Sequence, residues 1–180
     1  MKHTDILDFW FSDRMSKHWF SSTSDIDNEI KEKFELIWNN AATGVYDHWQ
    51  KSAEQSLALV IILDQLPLNM FRGRPESFAT EQKAVGVSKN AIANCYDKSL
   101  SSEQLIFLFM PLMHSEKIDD QDLSVTLYKK HNMTENLKFA LHHRDIVHRY
   151  GRFPHRNAIL GRESSQAEID YLNSKNAFKG

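Results

Sequence analysis

"SAEQSLALVIILDQLP", residues 52–67, decides the fold class. Ser52 and Gln55 stand at the capping-box spacing that opens a helix. From Leu57 to Leu63 apolar residues fall nearly all round the helix, which leaves no face for water. Such a helix has to be central, with others packed around it. Leu66-Pro67 is the expected stop, because the residue before a proline is pushed away from helical geometry.

The neighbouring segments supply those other helices. Ile6, Leu7, Phe9 and Trp10 form the apolar side of a short first helix capped by Thr4, and "SDRMSKHWF" reads as a turn. Ile26, Ile30, Phe34, Ile37 and Trp38 keep helical spacing behind a cap at Ser24 or Asp25. A helix over about 80–94 presents Ala84, Val87, Ala91 and Ile92. Ser101 and Gln104 open another, which Pro111 is expected to end or kink. Further helices start near Asp119, at Thr134 and at Ser165, where Glu168 completes a capping box. Gly151 is the expected stop of the helix begun at Thr134. No convincing alternating strand occurs. The expectation is an all-α chain of seven to eight helices in stacked antiparallel pairs, one domain over residues 1–180, with a loosely held "SKNAFKG" at 174–180.

Composition narrows the class. The chain has 180 residues, 41% apolar and 26% charged, with a formal net charge of −2. A balance so near zero argues against nucleic acid as the partner. "MKHTDILDFWF" is too short and too acidic in its apolar run for a signal peptide. The longest apolar runs fall short of a membrane span. Cys95 is the single cysteine, so no internal disulfide is expected. A cytoplasmic protein is the reading that fits.

Charged groups on apolar helix faces mark the candidate site. Arg144 and His148 fall in the stripe of Leu137, Ala140, Leu141 and Val147, where an arginine needs a carboxylate or an anion against it. Asp64 lies angularly among Leu57, Val60 and Ile61, and pairs on one reading with Arg144 or an arginine of "FRGR". His114 and Glu116 follow the break at Pro111 and are the candidate proton-transfer pair. "RYGRFPHRNAILGR", residues 149–162, gathers four arginines around two glycines. Arg149 is accounted for by the helix dipole alone. Arg152, His155, Arg156 and Asn157 have no local reason to cluster. With Asp64, Asn69, Arg72 and Arg144 they are the candidate ligand-binding residues, because arginine forks suit carboxylates and phosphates.

Several chemistries lack their motifs. There is no Walker A loop, no G-x-G-x-x-G, no G-x-S-x-G elbow and no H-E-x-x-H. Asp145 and His148 have i, i+3 spacing but no second copy, so neither a metal nor a cofactor is expected.

"LDQLPLNMFRGRPESFATE" (63–81), "MPLMHSEKIDDQ" (110–121) and "HRDIVHRYGRFPHRNAILGRES" (143–164) together resemble a bacterial family, domain of unknown function 924. "ILDFWF" (6–11) and "WF" (19–20) fit it too. The resemblance implies a TPR-like helical fold and no particular reaction. One departure is Leu68, which stands where an arginine is common in the family's P-x-N. Two partner classes follow: a small anionic metabolite, or an acidic peptide in a scaffold groove. The remaining reading is that the polar cluster only fixes helix packing.

Overall fold

The computed structural model describes residues 1–180, the whole chain. It is all-helical, with eight helices of seven residues or more and no strand. No helix is long and apolar enough to cross a membrane. The chain divides into two compact units, Met1–Arg72 with Glu76–Pro111, and Gly73–Pro75 with Leu112–Gly180.

The first unit holds α1 (His3–Trp10), the one-turn α2 (Asp13–Ser16), α3 (Ser24–Ala42), α4 (Ala53–Val60), α5 (Leu66–Met70) and α6 (Glu81–Ala93). α2 lies inside the segment read as a turn. Ser52 Oγ caps α4 by accepting from the Gln55 N–H at 3.4 Å. Leu57 through Leu63 are fully buried, as the unbroken apolar surface requires. α3 packs against α5, and α4 against α1 and α6.

Pro67 does not end this helix. Residues Ile61–Gln65 widen into a π-helical turn and α5 carries on through Pro67. The physical obstacle is the Leu63 carbonyl, whose normal donor would be the N–H that Pro67 lacks. Thr80 supplies the substitute: its hydroxyl donates to Leu63 O at 2.5 Å, and Trp38 Nε1 donates to Thr80 Oγ1 at 3.0 Å. Both bonds are buried, so Thr80→Val should strand a carbonyl and an indole N–H. The expected cost is about 2 kcal/mol, read by urea denaturation. The π turn also sets Asp64 and Gln65 side by side in the interior, Gln65 Nε2 donating to Asp64 Oδ2 at 2.6 Å.

α7 (Ser102–His114) likewise continues through Pro111, and the division between the units falls within it. Its start is as expected: Ser101 and Gln104 exchange backbone and side-chain bonds at 2.9 and 3.3 Å. The second unit then holds α8 (Ile118–Lys130), α9 (Thr134–Tyr150) and α10 (Gln166–Leu172). Three residues join α8 to α9, and the two pack along each other. Ser165 and Glu168 form the capping box of α10.

α9 is rotated from its expected setting. Its buried face is Ala140, His143, Ile146 and Val147, while Leu141 is exposed and Arg144 lies at the surface. Ile146 and Val147 pack with Phe153, a ring from outside the helix. That contact chooses the face. A count of apolar residues along α9 cannot supply it.

Candidate functional site

Gly151 ends α9 in a left-handed conformation, φ 71°, which glycine adopts without strain. The chain then turns Phe153 fully inward. The cations of residues 152–162 are fastened around that anchor. Arg152 grips Glu168 with two prongs, Nε–Oε1 and Nη2–Oε2, each 2.8 Å or less. Its guanidinium holds the Glu168 carboxyl down at about 2. Arg162 grips Glu116 in the same way, Nη1–Oε2 2.7 Å and Nη2–Oε1 2.9 Å.

Glu116 also accepts from the Phe153 N–H at 2.8 Å. Burial would raise its pKa, but the Arg162 guanidinium and the Phe153 amide more than offset that and hold the carboxyl below its usual range. It therefore stands ionised and engaged. Arg156 is buried, with Nη2 donating to the His114 carbonyl at 2.8 Å and Cζ 4.7 Å from the Phe153 ring centre. Asn157 donates to Ser164 and accepts from Arg162 Nε, both at 3.0 Å. The arginine-rich stretch works as a clamp that ties the end of α7, the turn after α9 and the start of α10.

The remaining sequence candidates have partners of their own. Arg144 pairs with Asp122 across the α8–α9 seam. Asp64, Asn69 and Arg72 belong to the first unit. There Asn69 Nδ2 donates to Gln65 O at 3.0 Å, and Arg72 Nε donates to Asp27 Oδ2 at 2.8 Å.

Histidines gather beside the clamp. Burial, against a backbone bond to Phe139, pushes the His143 imidazole down to about 3. Burial and the Arg156 charge push His155 down to about 4. Both are neutral near pH 7. His143 Nδ1 lies 2.8 Å from the Phe139 carbonyl, so the proton is on Nδ1.

The second unit also has an open groove of about 740 Å³ between α9 and α10. His142, Asp145, Ile146 and Arg149 form one wall, and Ala167, Asp170 and Tyr171 the other. The Tyr150 and Tyr171 rings, 5.2 Å apart, join the two walls. Asp145 and Arg149 are exposed and neither has an ion-pair partner in the fold; Arg149 lies only over Tyr150, Cζ 5.2 Å from the ring centre. The unengaged charges are thus Asp145 and Arg149, whereas the sequence drew attention to Arg152 and Arg156. Arg162, too, was missed as the partner of Glu116. The available signal was the i, i+3, i+7 spacing of His142, Asp145 and Arg149, repeated by Ala167, Asp170 and Ser174. Such spacing acquires meaning only when two faces are known to oppose.

A family model described as a bacterial protein of unknown function, DUF924, matches residues 6–176. Among solved structures, the chain is similar to a protein of unknown function from Agrobacterium tumefaciens. The two share 37% identity over 95% of this chain and 96% of that one, with a TM-score of 0.90. No curated protein matches the chain.

Proposed function

The chain belongs to the DUF924 family of bacterial proteins of unknown function, and from that premise we propose that it binds a small amphoteric metabolite in the groove between α9 and α10. The observation that carries this reading is the pair of unengaged charges, Asp145 and Arg149, on the wall of an open groove of about 740 Å³. That volume suits a ligand of metabolite size. Arg149 offers a fork for a carboxylate or phosphate. Asp145 and Asp170 offer acceptors for an amine or hydroxyl. Ile146, Ala167 and the two tyrosines give an apolar floor. This keeps an anionic group on the ligand, moves it from the clamp to the groove, and adds a donor group at its other end.

A thermal-shift panel tests it, with amino acids and amino-sugar phosphates set against simple dicarboxylates and polyamines. A compound carrying both charges, at a hundred times its Kd, should raise Tm by roughly 5–10 °C. Arg149→Gln and Asp145→Asn should each abolish the shift while leaving the ligand-free Tm nearly unchanged, because both residues are exposed. The reading fails if no amphoteric compound shifts Tm, or if the shift survives both substitutions. A shift given by an acidic peptide alone would replace it with a scaffold.

A further inference from the structure

Residues 174–180 were expected to be loosely held, yet Phe178 is docked. Its ring centre lies 4.4 Å from that of His143, 5.0 Å from His155 and 6.4 Å from His142. Its backbone N–H donates to the Tyr171 hydroxyl at 2.9 Å. Upstream, Ser174 N–H donates to Tyr171 O at 2.9 Å, and Ala177 N–H to Ser174 O at 3.3 Å. An aromatic ring is therefore seated on a platform of imidazoles. His155 Nδ1 is buried there with no hydrogen-bond partner.

We propose that residues 174–180 form a pH-sensitive latch, shut while His143 and His155 beneath Phe178 are neutral and released when they take up protons.

α9 contributes His142 and His143, the turn after Phe153 contributes His155, and α10 contributes the Tyr171 hydroxyl. His114, Glu116, Arg156 and Arg162 lie close enough to act on this cluster through their charge. Glu116 favours a proton on His155, but Arg156 and Arg162 oppose it, and Glu116 is already engaged by Arg162. One imidazolium could be tolerated against the face of Phe178 by cation–π attraction. A second would face the first and the Arg156 guanidinium in a site with little water. Lifting Phe178 lets water reach the imidazoles and removes that penalty.

The sign follows from linkage. The closed form holds His143 and His155 below the ordinary histidine value, so closure is fully favoured above about pH 6.5 and weakens as pH falls through it. Each histidine freed by opening multiplies the open population by up to about tenfold per pH unit. Ser174 and Asn176 also line the groove between α9 and α10. Release would remove part of its wall, a consequence that rests on the proposed ligand site, whereas the latch itself does not.

The test uses the full chain without ligand, so its outcome is independent of the groove's occupant. Proton NMR should show contacts between the Phe178 and His143 rings at about pH 7.5. These should vanish by about pH 5, while the amides of Leu127 and Tyr128 in α8 keep their native shifts. Phe178→Ala should raise the titration midpoint of His155 by about one unit or more, toward the ordinary value. His155→Phe, which keeps a ring and removes a titrating group, should hold the latch shut to lower pH. The proposal is overturned if Phe178 stays docked at about pH 5. It is equally overturned if the His155 midpoint is the same in Phe178→Ala, or if the α8 amides are lost together with the Phe178 contacts.

Discussion

Phe107→Ala should destabilise the protein by about 3–5 kcal/mol, the range for deleting a buried aromatic ring. Phe107 is fully buried. Its ring centre lies 4.8 Å from Trp19, 5.5 Å from Trp10, 5.6 Å from Phe11 and 6.4 Å from Phe20. Alanine would leave a cavity edged by rings that are too stiff to collapse into it. Urea denaturation followed by tryptophan fluorescence is well placed to measure this, since Trp10 and Trp19 both touch the deleted ring. Phe20→Ala is the internal control. Phe20 stacks on the same ring but is 73% exposed, so its loss should cost under about 1 kcal/mol. Equal costs for the two substitutions would mean that Phe107 is not the hub of the first unit's aromatic cluster.

The same hub shows what a sequence displays and what it withholds. "LIFLFM" announces a buried helix, because its apolar residues leave no polar face. It does not say that the loop residue Trp19 will reach Phe107. The caps at Ser52, Ser101 and Ser165 were equally plain, since each acts on a residue three positions away, whereas those expected at Thr4, at Ser24 or Asp25 and at Thr134 fall instead at Lys2, Thr23 and Met133. Pro67 misled for the complementary reason. Pro67 ends a helix only if the carbonyl it strands finds no other donor, and that donor, Thr80, is thirteen residues further along. Thr80 stands at the N-cap position of α6 but makes no side-chain cap bond there, and its hydroxyl is spent on Leu63 O. The setting of α9 failed in the same way, because Phe153 chooses which side is buried. Local chemistry could be read from the chain; choices made by distant partners could not.

The candidate site divides along that line. Residues 149–162 were recognisable as an unusual gathering of cations. Whether they faced a ligand or the protein's own carboxylates turned on Glu116 and Glu168, one 46 residues from Arg162 and the other 16 from Arg152. Both carboxylates are present, so Arg152 and Arg162 are engaged by them, Arg156 is held by the His114 carbonyl, and of the four arginines Arg149 alone is left without such a partner. Asp145 and Arg149 looked ordinary because their surroundings are made by α10.

Arg162→Ala tests the clamp directly. It should cost about 2–3 kcal/mol, between the figures for surface pairs and for fully buried ones, because both side chains of the pair are 24% exposed. The loss has three parts: the two-pronged bond to Glu116, the bond to Phe153 O at 3.2 Å and the bond to Asn157 Oδ1 at 3.0 Å. Glu116→Gln keeps the shape and an acceptor for the Phe153 N–H, so about 1–2 kcal/mol is expected from it. In the double variant the costs should fall short of additive by about 1 kcal/mol or more, since the two groups share one interaction. The pH dependence gives a second signature. Glu116 is held below its ordinary value in the folded protein, so the stability from this pair is full above the usual carboxylate range and declines as pH falls through it. The gap between wild type and Arg162→Ala should therefore narrow in acid. If Arg162→Ala left stability unchanged at every pH, Arg162 would not be part of a clamp. An exogenous anion would then be the better account of why arginines gather at this turn.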